Sequence, residues 1–191
     1  MENPDHQLPP NAKLVFKGVI FDVWQWEQKM FDGSTATFER LRRPDTAQVI
    51  PVVGDKILLQ VQQQPNRLQP FPSLPGGRFD EGEEPLAAAK RELLEETGYV
   101  SDDWVLWREL RPVNKIIWTV HSFIAHNCRY QQPPHLDAGE RIENKLVSFD
   151  ELLALADDPA FYDKELAGLF AKIRFDPAAN REFRDILFPR Q

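Results

Sequence analysis

The sequence predicts a mixed α/β layer fold, and three observations carry the prediction. β-Rich stretches are paired around the turn dipeptides Asp32-Gly33 and Gly54-Asp55. One strongly marked helical pattern follows over residues 84–97, and helical patterns return near the carboxyl end. The 191 residues are 42% hydrophobic, 11% aromatic and 28% charged, which suits one globular domain with an appendage and excludes general disorder. A formal net charge of −7 argues against a nucleic-acid binder, whose affinity comes from cationic contacts to phosphate, and against adhesion to an anionic membrane. No apolar run approaches the ~20 residues of a spanning helix. The opening MENPDHQLPP lacks the apolar core of a secretory signal, so a cytoplasmic protein is expected. The single cysteine, Cys128, makes neither an internal disulfide nor a zinc knuckle and reads as a buried thiol.

In chain order, residues 1–13 read as a loose polar tail. Residues 15–43 give two β-rich stretches turning at Asp32-Gly33, and residues 48–53 and 56–64 form a second hairpin. Residues 65–82, rich in Pro and Gly, read as loop. Pro85 suits the first turn of the next helix, Leu86, Ala89, Leu93 and Thr97 recur at helical spacing, and Gly98 stands where a terminating glycine belongs. Strands are predicted over 104–110 and 115–126, a loop over 130–143, and a strand over 145–149. Ser148 and Glu151 form a capping-box pattern opening a Leu/Ala helix, and Asp176-Pro177 opens a last short helix ending near Phe188. Three segments result: a tail with a β extension over 1–45, a core over 46–157 and a helical tail over 158–191.

The chemistry concentrates on the first helix. At ~100° per residue, Glu92, Glu95 and Glu96 share one arc, opposite the face of Leu86, Leu93 and Thr97. Carboxylates ~5 Å apart repel by about 3 kcal/mol at an effective dielectric of ~20. No lysine follows to relieve them, since Tyr99 and Val100 occupy the next turn. Two readings fit: a solvated acidic face, or an all-oxygen site for a hard cation such as Mg²⁺ or Mn²⁺.

The spacing goes further. Gly77-Arg-Phe-Asp-Glu-Gly-Glu83 followed by Arg91-Glu92-Leu-Leu-Glu95-Glu96-Thr-Gly98-Tyr99 resembles the box of the Nudix hydrolase family, G-x5-E-x7-R-E-U-x-E-E-x-G-U with U apolar. Every fixed position is matched, which by chance happens on the order of once in a million chains of this length. Tyr99 fits the last apolar position only as an aromatic variant. The resemblance implies an α/β/α sandwich with a mixed sheet and hydrolysis of a nucleoside diphosphate linked to another group, cut at the pyrophosphate. It implies Mg²⁺ or Mn²⁺ held by Glu92 and Glu96, with Glu95 close behind and the backbone carbonyl of Gly76 added. Arg91 would pair with Glu83, and with Gly77 and Gly98 keep the shape of the box.

Residues 16–100 resemble, more loosely, the ADP-ribose pyrophosphatase branch, whose amino-terminal β extension pairs two subunits. A homodimer acting on ADP-ribose or a related nucleoside diphosphate sugar is therefore implied. Trp24 and Trp26 would either stack on the nucleobase or pack within the extension. Where the branch often carries a phosphate-clamping arginine, this chain has Gln62-Gln-Gln-Pro65, so Gln64 is left to contact phosphate or Arg67 to replace the clamp. The branch's marker proline is also displaced, Pro112 being the nearest. The resemblance puts the base for the water on the late loop, with Glu140 first and Glu143 second; if neither serves, Glu95 of the helix is the next catalytic candidate. His121 and His126 read as packing, and His6 and His135 as loop residues without a motif. Cleansing of modified nucleoside triphosphates and non-catalytic nucleotide sensing are the competing functions.

Overall fold

Gly33 and Gly54, both at positive φ (87° and 61°), make the two hairpin turns in a computed structural model that describes residues 7–189. His6 lies outside the described residues. The first β-rich stretch is two strands rather than one: β1 (Lys13–Lys17) folds back onto β2 (Asp22–Lys29). Gly18 closes that turn by donating its N–H to the Phe21 carbonyl at 3.1 Å. Gly33 then turns β2 into β3 (Thr35–Arg42), and Gly54 turns β4 (Thr46–Val53) into β5 (Lys56–Gln63).

The segment expected to be loop over 65–82 contains two short strands. β6 (Phe71–Ser73) pairs with β5, and β7 (Gly76–Arg78) pairs with β4. Three residues show no periodicity, so nothing in the sequence marks them. They form because β4 and β5 pair only at their hairpin end and then diverge, leaving ladder edges whose N–H and C=O groups need partners.

Helix α1 (Pro85–Thr97) follows as predicted and ends at Gly98, whose φ is 75° and whose N–H reaches the Leu94 carbonyl at 2.8 Å. β8 (Tyr99–Val100) and β9 (Asp103–Leu110) come next. The strand expected over 115–126 is broken into β10 (Ile116–Ile117) and β11 (Val120–His126). The break lets the chain step between sheets, and the Thr119 N–H is held there by Asp45 Oδ1 at 2.7 Å. β12 (Arg129–Tyr130), at the start of the expected loop, pairs with β8. β13 (Arg141–Val147) starts earlier than the strand expected over 145–149, and Phe149 already belongs to α2 (Phe149–Ala154). The capping box forms, with the Glu151 N–H on Ser148 Oγ at 3.2 Å and the Ser148 N–H on Glu151 Oε2 at 2.7 Å. After a 3₁₀ turn, Leu155–Asp157, come α3 (Lys164–Phe175), which carried no separate signal, and α4 (Pro177–Leu187), capped by Asp176.

The central sheet runs β13-β5-β4-β11-β9, with β11 parallel to β4. Strand alternation on β4 sends Ala47 and Val49 to one face, against Ala88, Ala89 and Leu93 of α1. It sends Ile50 and Val52 to the other, against Leu152, Leu166, Phe170, Phe183 and Leu187. The result is an α/β/α sandwich, as expected. Each fully buried Leu or Phe contributes about 1.5–3 kcal/mol, and the helices after residue 157 supply several of them. β1-β2-β3 form a separate antiparallel extension, tied to the core by β10 running parallel to β3. Among the described residues no helix is long and apolar enough to cross a membrane.

Candidate active site

The divergence of β4 from β5 opens a cleft of about 940 Å³, within the usual range of ligand pockets. α1 lies across it. Glu96 is not opposite the apolar face, as the helical arc suggested, but on the buried face with Ala88, Ala89, Leu93 and Thr97, only 5% exposed. Leu86, expected on that face, is exposed instead. The carboxylate is tolerated because the open sheet presents donors beneath it. Gly76 N–H reaches Glu96 Oε2 at 2.9 Å and Gln60 Nε2 reaches the same oxygen at 3.1 Å. Burial still pushes the Glu96 carboxyl well above its ordinary pKa, and the charges of Glu92 and Glu140 add to the shift.

Arg91 organises the acidic residues. Its Nε and Nη2 hold Glu83 bidentately at 2.9 and 2.8 Å, while Nη1 reaches Glu92 Oε1 at 2.7 Å and Glu95 Oε2 at 3.2 Å. Those partners hold its pKa above the usual arginine value, Glu83 first. Glu83 also accepts the Asp80 N–H at 2.9 Å, closing the loop before the helix. A side chain at position 76 would collide with the Ala47 carbonyl, so that glycine is fixed by close backbone approach, while one at position 77 would displace the Glu92 carboxylate.

Glu140 comes from the late loop to the same cleft as Glu92, Glu95 and Glu96. Burial raises its pKa, and Asp137 and Glu95 raise it further. Glu143 does not join them. It is exposed on β13 opposite Val61, one residue out of phase with Gln62 and Ile142, and so points to the other side of the strand. Trp24 and Trp26 do not line the cleft of their own chain. Trp26 instead donates to Gln28 Oε1 at 3.0 Å and packs near Phe38. Gln64 lines the cleft, whereas Arg67 stacks outside it, 4.3 Å from the Phe71 ring centre and 5.1 Å from that of Tyr162.

The cleft also collects residues that carried no motif. At one end the Arg43 guanidinium lies 4.6 Å from the Trp118 ring centre and 5.7 Å from that of Phe21. Burial lowers its pKa from the ordinary arginine value. Also lining the cleft, Asp163 accepts the Leu74 N–H at 2.8 Å and Glu165 accepts from Gln48 at 3.0 Å. His135, read as a featureless loop residue, lines the cleft, its N–H on the Glu95 carbonyl at 2.7 Å. Alternation on β4 and β5 was the one available signal for Gln48 and Gln60; the others are brought together from distant segments. His121 is buried between Asp45 and Glu109, and His126 bonds the Ile186 carbonyl at 2.7 Å, so both are packing residues. Cys128 is buried, and desolvation pushes its thiol up to about 12.

The donor set is all oxygen, which fits Mg²⁺ or Mn²⁺ rather than zinc. Among the described residues no group of three or more His, Cys, Asp or Glu side chains is arranged so that together they could hold a metal ion. Arg91 draws Glu92 and Glu95 to itself. An open site of one or two carboxylates is nonetheless the usual protein share for Mg²⁺, which keeps waters and takes substrate phosphates as further ligands.

Comparison with known proteins places the chain among related sequences. The chain is 25% identical over 162 residues to an ADP-ribose pyrophosphatase of Bacillus subtilis (strain 168), covering 80% of this chain and 84% of that one. It is 26% identical over 160 residues to a methanol dehydrogenase activator of Bacillus methanolicus, covering 81% and 85%. It is 22% identical over 163 residues to the ADP compounds hydrolase NudE of Escherichia coli (strain K12), covering 84% and 88%. The solved structure of an ADP compounds hydrolase superposes with a TM-score of 0.70 at 20% identity, covering 86% of this chain and 90% of that one, a likeness of fold. The NUDIX domain model matches residues 42–168, about two thirds of the sequence and the whole of the carboxylate cleft's box, and the chain belongs to the Nudix hydrolase family.

Proposed function

We propose that this protein hydrolyses the pyrophosphate bond of ADP-ribose or a related nucleoside diphosphate sugar, releasing a nucleoside monophosphate and a sugar phosphate. The observation that carries the reading is the convergence of Glu92, Glu95, Glu96 and Glu140 on one cleft large enough for such a substrate. Arg43 with Trp118 and Phe21 offers a flat, cationic end suited to a nucleobase. The relatives described as acting on ADP-ribose and ADP compounds support the choice of substrate class.

Glu92, Glu96 and the Gly76 carbonyl would hold Mg²⁺ or Mn²⁺, with Glu95 nearby. Such an ion, when bound, supplies charge neutralisation at the pyrophosphate and polarises the attacked phosphorus. Arg91 and Glu83 keep the acidic helix and its loop in register. Glu140 takes the proton from the attacking water, its raised pKa bringing it closer to neutrality, where a base works best. Gln64 donates an amide hydrogen to phosphate without neutralising it. The β extension serves as the pairing surface of a homodimer. Leu14, Val15, Phe16 and Val19 on it are exposed and need cover.

The test is turnover of a panel of nucleoside diphosphate sugars and nucleoside triphosphates with Mg²⁺ and with Mn²⁺, with products identified by mass. ADP-ribose giving AMP and ribose 5-phosphate, abolished by EDTA, is the expected result. Release of pyrophosphate from triphosphates alone would replace the reading with nucleotide cleansing, and turnover unaffected by EDTA would remove the metal.

A further inference from the structure

Gln60 and Gln62 occupy alternate positions of β5, and Gln64 continues the alternation just past its end, so the three side chains leave one face. Their amides are joined end to end. Gln64 Nε2 donates to Gln62 Oε1 at 3.5 Å, Gln62 Nε2 to Gln60 Oε1 at 2.7 Å, and Gln60 Nε2 to Glu96 Oε2 at 3.1 Å. The last link sets the direction of all of them. A carboxylate only accepts, so Gln60 must turn its NH₂ group inward and its carbonyl outward, and each amide beyond repeats the choice. Aligned amides polarise one another, and the positive end of this chain rests on Glu96.

The ladder is costly unless it serves that carboxylate. Gln60 is fully buried and Gln62 only 7% exposed, while Leu58, two residues earlier on the same face, is apolar. A buried amide is destabilising without partners, and an apolar side chain would fill either position without that requirement. Glu96 is fastened at two further points. Gly76 N–H shares Oε2, and Asn144 Nδ2 donates to the Glu96 backbone carbonyl at 3.2 Å. All the side-chain bonds therefore fall on one oxygen, and among the described residues Oε1 makes none.

We infer that Gln60 and Gln62 are positioning residues for Glu96: their hydrogen-bond ladder fixes the rotation of its carboxylate, so that Oε1 is the oxygen a cation in the cleft meets. Gln64, at the open end, completes the ladder weakly and faces the substrate. This inference rests on the reading of Glu96 as a cation ligand.

The experiment measures Mn²⁺ binding to metal-stripped protein, from the electron paramagnetic resonance of free Mn²⁺, for wild type, Gln60→Met and Gln62→Met. Thermal unfolding, kcat and KM are recorded alongside. Methionine keeps the length of glutamine and removes its amide. Gln60→Met should weaken Mn²⁺ binding roughly 10- to 100-fold, the range for a lost hydrogen bond to a charged group. Gln62→Met, acting at one remove, should weaken it by a smaller factor. In both, kcat should fall while KM for the nucleotide changes little. A lowered melting temperature with Mn²⁺ affinity and kcat unchanged would overturn the inference, because the amides would then only pack the strand. Should Gln60→Met fail to fold, Gln62→Met decides by the same two readouts. Wild-type protein that binds no Mn²⁺ would overturn the cation site itself and the ladder's role with it, whereas wild-type binding left intact by both variants overturns the ladder alone.

Discussion

Glu140 and Glu143 are three residues apart and chemically identical, yet only Glu140 reaches the cleft. Glu140→Gln should lower kcat by about 10²- to 10⁴-fold, the usual share of proton transfer, and leave Mn²⁺ affinity nearly unchanged. Glu143→Gln should turn over normally, and steady-state kinetics on both variants checks the assignment. Glu92→Gln and Glu96→Gln should each abolish Mn²⁺ binding and most of kcat while circular dichroism stays native, since each removes a charge without changing volume. Asp163 offers a stability prediction. Burial raises its carboxyl to about 7, far above the ordinary 3.8. Between those values the native state holds a proton that the unfolded state has lost, so stability falls as pH rises through the window, by at most about 1.4 kcal/mol per pH unit. Asp163→Asn should flatten that fall. Melting temperatures of the two proteins should converge near pH 4, separate progressively as pH rises to about 7 and keep a constant separation above it, and curves parallel throughout the range would refute the prediction.

At the scale of elements, α1 is held at both ends by its loops. Gly98 sits at φ 75°, and a Cβ there would strike the Gln132 carbonyl and meet the Tyr130 ring at 3.1 Å. Gly98→Ala should therefore destabilise the protein by at least the ~1–2 kcal/mol of a left-handed alanine, read by chemical denaturation. The helix pattern was legible because propensity, spacing and end signals agreed over residues 84–98. Short strands β6 and β7 were not legible, because edges left by β4 and β5 created them. Helix α3 lies within the helical tail expected over 158–191, but its start carried no cap signal of its own, and Asp163 before it holds the Leu74 N–H instead of capping.

On the scale of the whole molecule, the extension of β1, β2 and β3 touches the core through β10 and leaves Val19 98% and Phe16 61% exposed. A single antiparallel extension with such residues on its surface calls for a partner, and a second copy of the chain is the one proposed above. Light scattering at micromolar concentration should give the mass of two chains. Val19→Asp with Phe16→Asp should give the mass of one, and a wild-type monomer would refute the pairing.

The sequence by itself determined the box, its helix and a mixed α/β layer fold, because each depends on residues close in the chain or on patterns that repeat; the α/β/α sandwich came from the resemblance of the box. Glycines at 77 and 98, the Arg91–Glu83 pair and the three helix glutamates are all contained within 22 residues, at spacings a helix and its loop enforce. Only the tertiary structure decided which face of α1 Glu96 takes, that Glu140 and not Glu143 enters the cleft, and that Gln48, Asp163 and Arg43 line it. Those choices depend on where β4 and β5 part. β7 and β6 pair along the parted strands, and Gln48 of β4 meets Glu165 of α3, contacts between segments up to 117 residues apart that no local pattern encodes.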